Sequence, residues 1–241
     1  MTVPITKSKA LLLLGVFLGS PLSLAQEEKL LFEDHFERKE ADDTKEEIGN
    51  GWSSNSQKRA KGNKQVDLKD GAMHITFHPE ADHAVSVVHP AEFQNGKITL
   101  RFMLPNKEDS LGLNFADLKY KKVHAGHLCM AKIDTHAVQL NDLKTGVMDQ
   151  EIRVARQAKK LTPEQQKMLK TKTKRFKNKI EPGKWHGLEI TIIDDTMALS
   201  INGVQVGAFS SEGIAHPTKR TLRVAVPKKA IIDDIKVYAL K

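Results

Sequence analysis

His124 and His127 stand three residues apart at the start of an apolar run, His127-Leu-Cys-Met-Ala131, that leads to Asp134. Two imidazoles and a carboxylate could bind a divalent metal or serve as general base and acid. Residues three apart on an extended strand point to opposite faces, so the two rings converge only if His124 sits in the preceding turn. His127 and Asp134 are the catalytic candidates here, and His124 is a substrate-binding one. Trp52 is another candidate, because a flat indole can stack on the apolar face of a sugar ring while polar neighbours bind hydroxyls; core packing is its competing role. His216 and Lys219, in His216-Pro-Thr-Lys219-Arg220, lie between strands, where a loop could reach over a sheet and supply a cation for an acidic or oxidised sugar. Trp185 directly precedes a strand and is expected in the core.

The charge is unevenly spread. The chain carries a formal +8, yet Arg153 to Lys179 holds eleven Lys or Arg residues against the single acid Glu164, a local balance of +10. Lys167, Lys170, Lys172, Lys174 and Arg175 therefore form an anion-binding candidate for acidic polysaccharide or an envelope polymer, with a solvated helix kept soluble by charge as the alternative. Nucleic acid is disfavoured by sparse aromatics, Phe176 being the only one in the segment, and by an export signal. Acids cluster elsewhere: Glu40, Asp42 and Glu46 fall in a charged stretch, Glu37 to Asn50, that lacks apolar flanks to hold two carboxylates at a fixed separation, and a solvated loop is expected. His74, His78, His83 and His89 are expected on a solvated side. Cys129 is the only cysteine, so no internal disulfide can form, and its apolar neighbours predict a small buried side chain. No cofactor signature is present, and a divalent metal is left open at the histidines.

These residues need a scaffold. Lys7 and Lys9, the apolar Ala10 to Leu18 and the small-x-small Ser23-Leu24-Ala25 read as a signal peptide cleaved near Ala25. The mature chain is then expected outside the cytoplasm, secreted or periplasmic, with no membrane span. Residues 26–241 suit one all-β domain. Gly183 to Phe209 carries the strongest pattern: Leu188, Ile190 and Ile192, then Met197, Leu199 and Ile201, alternate with polar residues around turns at Asp194-Asp195 and Asn202-Gly203. Asn-Gly favours a type I′ hairpin, since both residues tolerate positive φ. Strand signals recur about every ten residues, with Asp70-Gly71 another turn, which indicates a two-sheet antiparallel jelly-roll sandwich. The pattern breaks over about 148–180, where Glu151 to Lys160 is helix-compatible and Thr162-Pro163-Glu164-Gln165 is a capping box, predicting a helix to about Lys174. A closing strand, Ala230 to Leu240, should lie beside the first, near Leu30 to Phe36.

Phe32-Glu-Asp34 with Gly51-Trp52, Glu92-Phe93, Leu100-Arg-Phe102, Gly183-Lys-Trp185-His186, Ile201-Asn-Gly203-Val204 and Ile232-Asp-Asp-Ile-Lys-Val237 together resemble the secreted concanavalin A-like lectin/glucanase superfamily, and most closely its 3-keto-disaccharide hydrolase domain family. The resemblance implies two packed antiparallel sheets, one concave and able to hold a glycan, and cleavage of an oxidised glucoside. Where such domains tend to show a Gly-Tyr-Glu-x-Gln-Ile-x-Asp kind of strand, this chain has Ala125-Gly-His127-Leu-Cys-Met-Ala-Lys-Ile133-Asp134, with His127 in place of the glutamate. The Glu-x-Asp-x-x-Glu strand of laminarinases is absent as well. The expectation is an exported carbohydrate-recognising jelly roll, with hydrolase activity toward oxidised disaccharides as its catalytic form; the alternative is a non-catalytic envelope or matrix protein anchored by its basic arm.

Overall fold

The computed structural model describes Met1 and residues 27–241; apart from Met1, the expected signal peptide lies outside the described residues. In chain order the strands are β1 (Glu28–Asp34), β2 (Ser53–Ser54), β3 (Val66–Lys69), β4 (Ala72–Thr76), β5 (Val85–Phe93), β6 (Asn95–Met103), β7 (Ser110–Ala116), β8 (His127–Asp134), β9 (Ala137–Asp142), β10 (Thr173–Lys177), β11 (Trp185–Ile193), β12 (Thr196–Ile201), β13 (Val204–Ser210), β14 (Lys219–Val226) and β15 (Lys229–Leu240). Three helices join them, α1 (Ser56–Arg59), α2 (Gln150–Gln157) and α3 (Pro163–Thr171), with a 3-10 turn at His124–Gly126.

The strands form two antiparallel sheets. The first runs β13-β12-β11-β6-β15-β4-β3, with β1 also on β15; the second runs β10-β9-β8-β7-β14-β5-β2. Period-two alternation sets the register. Ile190 pairs with Ile98 on one side and Leu199 on the other, so one face of each strand is apolar across three neighbours. Phe102 from the first sheet and Phe115 from the second are fully buried in the shared interior, each contributing about 1.5–3 kcal/mol by burial. Asp70 and Gly71 (φ 54° and 69°) and Asn202 and Gly203 (φ 52° and 76°) take the left-handed conformations that two-residue hairpins need. The closing strand β15 does pair with β1, from Glu28↔Leu240 to Asp34↔Ile235.

Two local expectations are corrected. The charged loop is not simply solvated: Glu46 accepts hydrogen bonds from the backbone N–H of Gln65 (2.6 Å) and Val66 (3.0 Å) and from Ser56 Oγ (2.6 Å), while Glu40 accepts from Lys64 Nζ (2.7 Å) and the Leu68 N–H (3.2 Å). These carboxylates turn inward because the outer edge of the sheet at β3 would otherwise leave N–H donors without partners. The helix from Thr162 stops at Thr171 rather than about Lys174. Thr162 does cap it, accepting from the Gln165 N–H while the Gln165 side chain accepts from the Thr162 N–H. Beyond it, Thr173 to Lys177 pairs with β9 from Thr173↔Asn141 to Lys177↔Ala137, satisfying the exposed edge of β9 and turning part of the basic segment into a strand.

Candidate functional site

The outer face of the second sheet carries a connected set of polar side chains. Asn114 of β7 is paired with Met130 on β8 and with Arg223 on β14, and a shift of register between Phe115 and Ala116 brings His127 onto the same face. His127 Nδ1 lies 2.9 Å from Asn114 Oδ1, and Arg223 Nη1 lies over the imidazole, 2.9 Å from its Nε2 and 3.1 Å from its Nδ1. An amide oxygen can only accept, so Nδ1 carries the proton it gives to Asn114, and the guanidinium against the ring opposes a positive charge on it. The imidazole is therefore neutral. Burial, with the charge of Arg223 and the proximity of His124 adding to it, pushes its pKa down to about 4. A second polar row lies beside the first: Gln139 Nε2 donates to Asn141 Oδ1 (2.7 Å), which also accepts from Thr173 Oγ1 (2.8 Å).

His127 stands between two hollows. One, of about 400 Å³, runs over Asn114, Met130, Gln139 and Asn141 to Met148 and Leu169 of the helical insertion. The other, of about 440 Å³, runs over His124, Arg223 and Ser86 to Arg59 and His83. A smaller hollow of about 260 Å³ adjoins them between His124, Met148, Arg153 and Arg156. The helices that wall this side are fixed by their caps: Asp149 Oδ1 accepts from the N–H groups of Glu151 (3.0 Å) and Ile152 (3.1 Å), and Ile152 is buried. Asp142 is the only acid lining these hollows among the described residues, and it is committed to Ser211 Oγ (2.6 Å), the Gly213 N–H (3.0 Å) and the Thr145 N–H (3.0 Å). Hollows on the first sheet differ in charge. Arg101 there faces Asp233 and Asp234, and Lys64 faces Glu40 and Asp67, so these two cations are neutralised within the fold.

The candidate residues scatter. His124 and His127 do come together, with ring centroids 6.5 Å apart, because His124 occupies the 3-10 turn before β8. Asp134 lies at the far end of β8, seven residues from His127 and so about 20 Å away along an extended chain. There its carboxylate accepts from the His136 and Ala137 N–H groups (2.8 and 2.7 Å) and faces Arg175 at 3.3 Å; His127 and Asp134 are not assembled as an acid–base pair. Among the described residues no group of three or more His, Cys, Asp or Glu side chains is placed to hold a metal ion.

Three substrate-binding expectations are corrected by burial. Trp52 is 6% exposed, its ring packed against Phe32, Phe36 and His89 and its Nε1–H donated to Asp34 Oδ2 (2.9 Å), so no sugar can stack on it. His216 is buried with Nε2 3.3 Å from Asp117 Oδ2. Lys219 is fully buried, its ammonium donating to the carbonyls of Gln94 (2.8 Å) and His216 (2.9 Å). The loop folds into the structure instead of reaching over the sheet. Trp185 is the exposed tryptophan, lying under the guanidinium of Arg101 at 4.7 Å on the first sheet. His89, expected on a solvated side, stacks on Phe32 with centroids 3.7 Å apart. Cys129 is fully buried, which drives its thiol up to about 12 and keeps it protonated.

The basic segment is divided as well. Lys167 and Lys170 are exposed on α3. Lys172 faces Glu212 (2.9 Å), Lys174 lies over the Phe176 ring (5.5 Å), and Arg175 faces Asp134. Sequence reasoning missed Arg223 and Asn114. The available signal was a charged or amide side chain at the outward position of an otherwise apolar strand, Leu222-Arg-Val224 and Leu113-Asn-Phe115.

Among solved structures the chain is similar to a laminarinase from Rhodothermus marinus (TM-score 0.60, 10% identity, covering 90% of this chain and 99% of that one). A laminarinase from Flavobacterium sp. UMI-01 gives a TM-score of 0.55 at 18% identity, covering 87% and 100%. The carbohydrate binding module CBM66 from Bacillus subtilis gives 0.51 at 10%, covering 77% and 93%. At such identities the likeness is one of fold. A search of curated protein sequences found no match. Over residues 42–231 the sequence matches the family described as the 3-keto-alpha-glucoside-1,2-lyase-like domain, and the chain belongs to that family.

Proposed function

We propose that this protein binds carbohydrate on the outer face of its second sheet and does so outside the cytoplasm. The observation that carries the reading is the fixed polar row Asn114–His127–Arg223, with Gln139–Asn141–Thr173 beside it, on the floor of hollows of about 400 and 440 Å³. Side chains that hold one another in place keep little freedom to lose on binding, and amides, hydroxyls and an imidazole match sugar hydroxyls. The jelly-roll fold, shared with glucanases and a carbohydrate binding module, supports it. Binding to an array of neutral and acidic oligosaccharides, repeated with Asn141→Ala and His127→Ala, tests the site: both variants should lose at least about tenfold in affinity, a size expected when a buried polar partner is left unmatched. Full retention by both removes the site.

Family membership favours a second, catalytic reading. A 3-keto group acidifies the proton at C2 of a glucoside. A base that takes this proton leaves its electron pair to form the C1–C2 double bond, and the C1–O bond breaks with the departing oxygen taking up a proton. His127 is the base this reading assigns. Turnover of a 3-keto-glucoside by the wild type and its loss in His127→Ala support cleavage; no turnover by the wild type leaves binding alone. The anchoring alternative places the ligand on the exposed Lys167 and Lys170, and predicts binding that disappears with those charges and with added salt.

A further inference from the structure

The eight arginines of the sequence divide in two. Arg38, Arg59, Arg101, Arg175 and Arg220 each face a carboxylate at ion-pair distance. Arg153, Arg156 and Arg223 face none among the described residues, and all three border the hollows that meet at His124. Arg223 is the most enclosed of them. It rises from the middle of β14, between strands β7 and β5, and among the described residues its one side-chain neighbour at hydrogen-bond distance is His127. A guanidinium presents five donors in a planar fork, so most of Arg223's donors are uncommitted. Taking a cation out of water without an opposite charge is unfavourable, and such a group is normally paired. Burial already pulls the pKa of Arg223 below its ordinary value, and no described acid lines the two hollows that hold these arginines. The neighbouring imidazoles do not supply the missing charge and do not add to the positive one: burial and the adjacent arginines hold both His124 and His127 below their ordinary pKa.

We infer that the glycan bound on this sheet is acidic, and that Arg223, supported by Arg153 at the adjoining hollow, receives an anionic substituent of one sugar ring, a carboxylate or a sulfate ester. The inference rests on the carbohydrate-binding reading and specifies its ligand. The partner is provided by the ligand, which explains why five arginines have a carboxylate within the fold and these three do not. The site is separate from the exposed lysines of α3. The His127 ring, against which Arg223 Nη1 rests, sets the guanidinium in position while leaving its outer donors free, and Asn114 fixes the imidazole in turn. Arg223 is thus the recognition group, and Asn114 is a positioning residue acting through His127.

The test is calorimetric titration of the full mature chain with three tetrasaccharides of one length: tetragalacturonate, a sulfated galactan tetrasaccharide, and neutral laminaritetraose. An acidic probe should bind about tenfold to a hundredfold more tightly than the neutral one, the range of a charge-assisted fork. Whichever of the two acidic probes shows the preference identifies the anion. Arg223→Gln should bring the preference to within about twofold, Arg223→Lys should retain part of it, and the double variant Lys167→Gln/Lys170→Gln should keep it whole. Thermal unfolding of each variant establishes that it is folded, and Arg223→Lys keeps the comparison open if the glutamine variant is not. Equal binding of acidic and neutral probes, or a preference that survives in Arg223→Gln, overturns the inference while leaving carbohydrate binding intact. A preference lost only in the lysine double variant overturns it in favour of the arm. Failure to bind any of the three overturns the inference and the carbohydrate-binding reading together.

Discussion

Arg223 Nη1 lies 2.9 Å from Nε2 and 3.1 Å from Nδ1 of His127, a cation held against an imidazole that burial and this charge keep neutral. Neutrality has a thermodynamic signature. In an unfolded chain this histidine protonates near its ordinary 6.5, and in the fold only near 4. Between those values the unfolded chain binds more protons, so stability is fully present above about pH 6.5 and falls as the pH drops toward 4. The loss from this residue amounts to at most about 3 kcal/mol. Urea unfolding at pH 7, 6, 5 and 4 should show a shallower decline for His127→Gln than for the wild type. Coincident slopes would exclude a neutral, enclosed His127.

Asp34 is the hub beneath the first turn of the chain. It accepts from both ends of the Arg38 guanidinium (2.7 and 3.0 Å), from Asn50 Nδ2 (3.0 Å), from Trp52 Nε1 (2.9 Å) and from the Phe36 N–H (2.9 Å). Burial alone would raise its pKa, but the bonds from Arg38 and Asn50 outweigh it and hold the carboxyl below its ordinary value. Asp34→Ala strands an enclosed indole N–H and a guanidinium and should destabilise the fold by about 3–5 kcal/mol. Trp52→Phe should lose about 1–2 kcal/mol for the bond and still bind sugar as the wild type does. A loss of sugar binding in a folded Trp52→Phe protein would contradict the buried placement.

The two tryptophans should be separable by light. With Trp185→Phe the remaining emission, from the enclosed Trp52, is expected to be blue-shifted and resistant to acrylamide. With Trp52→Phe the remaining emission should be red-shifted and readily quenched, since Trp185 is 36% exposed. Similar quenching in both variants would refute the assignment.

Gly207 of β13 and Phe176 of β10 tie the basic insertion to the sandwich. A methyl added at Gly207 would press directly into the Phe176 ring. Gly207→Ala should cost about 1–3 kcal/mol through overpacking, and a second change, Phe176→Leu, should relieve part of it. Strict additivity of the two changes, measured by denaturant unfolding, would mean that the contact does not constrain the insertion.

Much of this architecture was legible because hairpins announce themselves locally. Asn202-Gly203 and Asp70-Gly71 specify their turns, and alternation in Leu188-Ile190-Ile192 specifies the face that is buried. The capping box at Thr162 fixed the start of α3. Its end was not legible, because Lys172 to Lys177 has neither a C-terminal glycine nor an apolar stripe, and only the waiting edge of β9 decides that it becomes a strand. The tryptophans were undecided for the same reason: Trp52 takes the core role that competed with sugar stacking, and Trp185, expected in the core, is exposed. Whether an indole before a strand faces inward depends on which neighbour reaches it, Asp34 for Trp52 and Arg101 for Trp185. Arg223 was hidden because a cation at an outward strand position is ordinary until one sees that no acid among the described residues stands opposite.

The placement of β10 carries a last consequence. Among the described residues it is the outermost strand of its sheet, so one row of its backbone N–H and C=O groups faces outward with no neighbouring strand. Such a row is a template on which another copy of the chain can add itself, and cations along it oppose that growth by mutual repulsion. Lys174, Arg175 and Lys177 supply three cations in five residues. Neutralising them should therefore shorten the time the purified protein stays dispersed on storage, an effect on colloidal behaviour that has nothing to do with what the molecule binds.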